Sequence, residues 1–391
     1  MIRPVSQRSQ FSNDAPTACL LTPPGRGAIA SIRLRGDCAL LDRAEGGLFH
    51  PANGRPLQRQ SIGRVIFGRW KGEPGEEVVV CRQNDVTIEI HCHGGGAAVG
   101  RILTDLERAG CRIVSWPELV AQETCRFAAE CHEALAGAAT LRTADVLLDQ
   151  CSGTLGGALE RLRDVIRDRA HGNAEIIAQI DALLEWSAFG LHLSAPWKVV
   201  ILGRPNVGKS SLLNALVGFS RAIVFDQPGT TRDLVTAETA FQGWPMRLVD
   251  TAGMRESQCA LESAGIALAR DEARRADCRV LVVDSNRLPD QDDFELLSAW
   301  PDEIVVAHKA DLADAWEDKL PAGAVRVSSL TGIGVERLMD QIAERLVPLV
   351  PEPGTAVPVT PRQVELLQRA RKALLGGDEM QCQQALDEIL I

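Results

Sequence analysis

Tyrosine is absent from this 391-residue sequence, and aromatic residues make up only 4% of it. Lysine is scarce beside arginine. Both biases read as compositional drift and point to no particular chemistry. An excess of positive charge is missing too. The 42 Lys and Arg against 52 Asp and Glu leave a net charge of −10. That excludes a global field drawing in nucleic acid or anionic membrane, so any RNA contact needs a local patch. The 11 cysteines form no C-x-x-C pair; their scatter fits buried small apolar residues in a reducing cytosol and not a disulfide framework. No apolar run exceeds strand length, and none follows the basic start as a leader would, so neither a transmembrane helix nor a signal peptide is expected. What remains is a chain of ordinary hydrophobic content, 45%, expected to be cytoplasmic and long enough for two or three domains.

Residues 1–117 read as a mixed α/β unit. Ala28–Leu34 and Val86–His91 alternate apolar with polar residues, the mark of half-buried strands. Two glycine-rich turns punctuate them, at 22–27 and 91–96, and the second leads into a helical pattern with Val99, Ile102, Leu103 and Leu106 on one face. Residues 118–196 are helical in pattern: Leu155, Leu159, Leu162 and Ile166 recur at steps of three and four, as do Ile176, Ile177, Ile180, Leu183 and Leu184. The arginines at 161, 163, 167 and 169 interleave with Glu160, Asp164 and Asp168 and read as a solvated helix face. Residues 197–348 alternate short strands with helices, which predicts a parallel sheet covered on both faces. The strands are expected at Lys198–Leu202, Arg247–Asp250, Arg279–Asp284, Ile304–His308 and Val325–Ser328. A proline-rich linker and a short helical segment make up 349–391.

The stretch from Gly203 to Ser210 reads G-x-x-x-x-G-K-S between a strand and a helix. Such a loop wraps a phosphate with inward N–H groups, among them those of Asn206, Val207, Gly208 and Ser211 around the helix start. Lys209 reaches the outer phosphates, and the Ser210 hydroxyl can hold magnesium. Downstream, Gly229-Thr230-Thr231 offers a hydroxyl to complete the magnesium shell. Asp250-Thr251-Ala252-Gly253 ends a strand, where its carboxylate can hold a magnesium-bound water and Gly253 N–H can meet a γ-phosphate. His308-Lys309-Ala310-Asp311 occupies the base-reading position. An Asp there accepts from both N1–H and the N2 amino group of guanine, which adenine cannot match. The usual motif is N-K-x-D; the histidine offers one ring N–H but not the amide's two-sided bracing. Ser328-Ser329-Leu330 stands where an S-A-K turn is usual. Four motifs in this order at strand ends predict a GTP-hydrolysing domain. Met254 stands where Ras-like enzymes carry a water-orienting Gln, and a thioether has no hydrogen to donate, so the water must be oriented by another group.

Taken with the turns at 22–27 and 89–95, the Ile32–Gly36 run, and the stretches at 203–214, 228–233 and 250–256, these motifs resemble the MnmE/TrmE type of tRNA-modification GTPase. The resemblance implies an α/β plus α fold: an N-terminal α+β folate-binding-like domain that dimerises (1–117), a helical domain in two pieces (118–196 and 349–391), and a Ras-like P-loop GTPase domain (197–348) inserted between them. It implies hydrolysis activated by dimerisation, with potassium held by the side chains of Asn206 and Thr230 and the carbonyls of Phe225 and Gln227. Ser210 and Thr231 would hold magnesium, and Glu262 would orient the attacking water. Arg33 and Glu89 match folate-contacting positions. The implied partners are tRNA and a flavin-dependent enzyme, with a one-carbon unit placed on a wobble uridine. The sequence departs from the family in three places: no lysine lies between Lys71 and Lys198, where the family has Asn-x-Lys; Trp116-Pro117-Glu118-Leu119 and Cys125-Arg126-Phe127 match its P-G-E-F and R-A-F motifs only faintly; and its C-x-G-K motif is not among these 391 residues. The alternative is a divergent paralogue acting as a GTP-dependent binding switch without folate chemistry.

Overall fold

Apolar alternation near the start of the chain organises the first of two sheets. A computed structural model describes residues 15–23, 25, 27–42, 47–71, 75–168, 172–219, 235–250 and 271–391. The chain divides into two units, residues 1–130 with Ile391, and residues 131–390. In the first unit the strands are β1 (Thr17–Leu20), β2 (Ile29–Arg35), β3 (Phe49–Pro51), β4 (Val65–Trp70), β5 (Glu76–Arg82), β6 (Thr87–His93) and β7 (Arg112–Ile113). They form one sheet in the order β3-β4-β5-β6-β2-β1-β7, antiparallel throughout except for the β1–β7 pair. Alternate residues of β2 and β6 (Ala30, Ile32, Leu34; Ile88, Ile90, Cys92) are buried under helix α1 (Gly96–Arg108), whose Ile102 and Leu106 close the core. The same alternation sends Arg33 and Glu89 to the opposite face, directly across from one another. Helix α2 (Trp116–Glu123) starts with a Ser115–Glu118 capping box, which satisfies two backbone donors reciprocally.

The second unit begins within helix α3 (Arg126–Ala136). Helices α4 (Leu141–Cys151), α5 (Thr154–Arg167), α6 (Asn173–Glu185) and α7 (Ser187–Leu191) lead into a sheet of β8 (Trp197–Gly203), β9 (Val235–Phe241), β10 (Trp244–Asp250), β11 (Cys278–Asp284), β12 (Ile304–His308) and β13 (Val325–Val327). Its order is β13-β12-β11-β8-β10-β9. All neighbours are parallel except β9 and β10. The antiparallel edge strand is a departure from the parallel sheet expected of the sequence. It arises because Gln242 and Gly243, both at positive φ (49° and 82°), make a two-residue turn of the kind that matches strand twist. Central strands carry unbroken apolar runs: Val199, Val200 and Ile201 of β8 are wholly buried, as a sheet covered on both faces requires. Helices α8 (Lys209–Phe219), α9 (Gln291–Ala299) and α10 (Val335–Leu346) pack beside it.

The chain then returns to the helices. Helix α11 (Pro361–Leu375) packs on α6, and α12 (Glu379–Leu390) packs on α5 and α11. Buried Gln150 on α4 ties the return, its amide donating to the Thr355 carbonyl at 3.1 Å and accepting from Val357 N–H at 3.1 Å. A second tie joins these helices to the β9–β10 turn. The Thr140 hydroxyl donates to Gly243 O at 2.7 Å, and Arg142 donates to Gln242 O at 2.7 Å while its guanidinium lies 4.4 Å from the centre of the Trp244 ring. Trp244 is itself packed edge-on against Phe189 and Trp197.

Candidate active site

Parallel strands in an open sheet end on one side, and the loops beyond those ends make the site. Gly203 ends β8, and α8 begins at Lys209, so the intervening five residues turn sharply around the helix N-terminus. Asn206 sits at φ +65° and Gly208 at φ +97°. Asn tolerates the left-handed region better than most side chains; at Gly208 a Cβ would lie 2.4 Å from the His308 ring, so only glycine fits. Lys209 is buried, with Nζ donating to the Arg204 carbonyl at 2.7 Å. The Ser210 hydroxyl donates to the buried Asp250 carboxylate, Oγ to Oδ2 at 2.5 Å. Two hard oxygen donors from different strand ends are thus brought together next to the lysine, a set that suits magnesium. Ser211 lies exposed on the first turn of α8.

The base end is built by β12 and the turn after β13. His308 is buried, between the phosphate loop and Ser329: Nδ1 is 2.8 Å from the Val207 carbonyl and Nε2 is 2.7 Å from the Ser329 hydroxyl. Burial holds its pKa below the ordinary 6.5, so the ring is neutral. A carbonyl only accepts, so Nδ1 carries the hydrogen and Nε2 accepts from Ser329. The expectation of one-sided bracing is therefore corrected: the imidazole is held at both nitrogens. Lys309 is at φ +63° and donates to Asp284 at 2.6 Å and to the Asn206 carbonyl at 3.3 Å. The exposed Asp311 carboxylate accepts from the buried Ser328 hydroxyl at 2.5 Å. That bond, aided by a backbone N–H, holds its pKa below the usual carboxylate range. Beside the loop lies a cavity of about 240 Å³ lined by Arg204, Asn206, Val207, Asp284, Asp293 and Lys309 among others.

One contributor is not visible in any motif. Arg204, the second residue of the loop, pairs with Asp290 and, at 3.2 Å, with Asp292 at the start of α9. Asp290 also caps that helix. These partners lie 86 and 88 residues downstream, and only the parallel sheet brings them to the loop. Phe225, Gln227, Gly229, Thr230, Thr231, Thr251, Ala252, Gly253, Met254 and Glu262 lie outside the described residues.

In the first unit, Arg33 and Glu89 form an ion pair at 2.8 Å, with Glu123 3.6 Å from the same guanidinium and Gln83 donating to Glu89 at 2.9 Å. Arg33 accordingly lowers the Glu89 pKa. These residues, with Arg35, Asn84 and Thr87, border a polar cavity of about 500 Å³. The Arg33 Nε is buried and has no hydrogen-bond partner among the described residues.

With this geometry in hand, the chain can be set beside known proteins. The family described as 50S ribosome-binding GTPase matches residues 198–309. The tRNA modification GTPase MnmE of Thermus thermophilus is 32% identical, with 92% of this chain and 88% of that protein covered. That of Synechococcus is 33% identical over 92% and 88%. The chain belongs to the MnmE family of tRNA modification GTPases. Bacillus subtilis MnmE is 30% identical over 91% of this chain and 88% of its own length. Among solved structures, the G domain of the T. maritima FeoB iron transporter is 31% identical over 38% of this chain and 98% of that one, at a TM-score of 0.29. As an MnmE-family member the chain is a GTP-hydrolysing enzyme. Among the described residues no helix is long and apolar enough to cross a membrane.

Proposed function

We propose that this chain hydrolyses GTP in a potassium-assisted step switched on when two copies meet, and that the cycle serves modification of a tRNA wobble uridine in the cytoplasm. The observation that carries the reading is the meeting of Ser210, in the turn after β8 beside Lys209, with Asp250 at the end of β10, while Asp311 follows β12 of the same sheet and is held by Ser328. Ser210 and Thr231 would hold magnesium directly, and Asp250 would hold it through a water; the metal neutralises phosphate charge when bound. Lys209, released from the Arg204 carbonyl, reaches the outer phosphates, and the N–H groups of Gly208 to Ser211 cradle them. Asn206 and Thr230 with the carbonyls of Phe225 and Gln227 form the potassium set, in the place an arginine finger takes elsewhere. Glu262 orients the attacking water, the role Met254 cannot fill. Gly253 N–H would meet the γ-phosphate, and Gly229, Thr251 and Ala252 are the further nucleotide-binding positions of this reading.

In the same reading residues 1–117 dimerise and bind a folate derivative, 197–348 is the G domain, and 118–196 with 349–391 form the helical domain it interrupts. Support for dimerisation is the apolar exposure on β2 and β4: Ile29, Val65 and Phe67 are 64%, 68% and 50% exposed. Support for folate is the polar cavity bordered by Arg33 and Glu89. A flavin-dependent enzyme completes the set of partners with tRNA.

The test is GTP turnover in potassium against sodium, with wild type and Glu262→Ala. Faster turnover in potassium, lost in the variant, is expected. Equal slow rates in both salts, unchanged by the substitution, overturn the mechanism. A second reading is a GTP-controlled binding switch without one-carbon chemistry. Its support is the absence of any lysine between Lys71 and Lys198 and the pinning of Arg33 by two carboxylates. Failure of this gene to restore the modified nucleoside in a strain lacking the family enzyme favours that second reading.

A further inference from the structure

The base end of the site departs from the N-K-x-D and S-A-K patterns at three places, His308, Ser329 and Leu330, and the side chains of the first two bond to each other. The neutral ring has a single N–H. It is committed to the Val207 carbonyl of the phosphate loop at 2.8 Å. The ring's other nitrogen is occupied by the Ser329 hydroxyl at 2.7 Å. An asparagine at 308 brings two N–H groups, so one can hold the loop carbonyl while the other is free to donate. An alanine at 329 would leave Nε2 of a histidine without a partner in a buried place, which is costly. The ring also fills the space beside Gly208 that a Cβ would need, so its plane is fixed.

We infer that His308 and Ser329 are a matched pair: together they position the phosphate loop against the base turn, and they leave the purine N7 without a donor from residue 308. Guanine selectivity then rests on Asp311, held by Ser328, and the enzyme accepts guanine nucleotides altered at N7 that an Asn-bearing site discriminates against. His308 is a positioning residue, and it reads no part of the base. This rests on the GTPase reading of the site.

The test measures binding of GDP and 7-deaza-GDP, whose N7 is replaced by C–H, to the full chain. Wild type is expected to bind the two equally within about twofold, and His308→Asn to favour GDP by about 3- to 10-fold, the span of one hydrogen bond. Ser329→Ala is expected to weaken GDP binding by a similar factor in the wild-type background and to have little effect beside His308→Asn. A wild-type preference for GDP of fivefold or more overturns the inference, and this measurement needs no variant to fold. Equal losses from Ser329→Ala in both backgrounds overturn the pairing. Absence of GDP binding by wild type would instead count against the GTPase reading itself.

Discussion

The two ends of the nucleotide site are built on different principles. At the phosphate end, the proposed recognition is by backbone N–H groups and the space that glycine leaves, and the sequence keeps G-R-P-N-V-G-K-S in the usual pattern. At the base end, contacts come from side chains, and side-chain hydrogen bonds can be redistributed among partners. There His308, Ser329 and Leu330 replace the usual residues, yet the ring still reaches the phosphate loop. A backbone-built site resists substitution; a side-chain-built site drifts as long as its donors and acceptors still balance.

The largest break of this contrast is Asp311→Asn. In the proposed base-reading role the carboxylate would accept two hydrogen bonds from guanine, and an amide can replace only one without facing donor to donor. GDP affinity is expected to fall about 100-fold or more, while a xanthine nucleotide, which carries a carbonyl where guanine has its amino group, gains; competitive titration reads both. Next is Gly208→Ala, which joins the two ends. The added methyl meets the His308 ring at 2.4 Å, at a backbone φ of +97°, so thermal unfolding should reveal a loss of about 1–3 kcal/mol. His308→Ala in the same background should recover part of it, leaving the backbone strain.

The smallest effect is a pH dependence of stability. His308 has its pKa lowered by burial, opposed mainly by the Val207 hydrogen bond, with Lys309 lowering and Asp284 and Asp311 raising it. The unfolded chain therefore binds the proton first as pH falls. Stability from this residue is full above about 6.5 and declines below it, towards the folded pKa. Denaturation midpoints at pH 7.5 and 5.5 should differ less in His308→Asn than in wild type.

Much of the phosphate end could be read from sequence because its determinants are contiguous: glycine spacing, lysine and serine sit within eight residues. The strands β8, β11 and β12 were legible as apolar runs, since burial on both faces leaves a nearly unbroken pattern, and β10 and β13 were legible although each carries one exposed arginine. Strand β9 was not. Val235–Phe241 lies at the sheet edge and reads VTAETAF, a weakly apolar run whose clearest signal is the Gln242-Gly243 turn after it. The Arg204 link to Asp290 was illegible for another reason: surface ion pairs follow no periodicity, and only topology brings the two together. The same holds for His308 with Ser329, 21 residues apart. Their types were readable, and their hydrogen bond was not.

The β9–β10 turn held by Thr140 and Arg142 has a mechanical meaning. β10 runs without a break from Trp244, beneath the Arg142 guanidinium, to Asp250, beside Ser210. Seven residues of strand span roughly 20 Å, and pairing with β8 on one side and β9 on the other leaves little room to stretch or buckle. One continuous strand thus links the Asp250 carboxylate beside Ser210 to the turn that Thr140 and Arg142 hold, so an axial shift at either end would be carried towards the other.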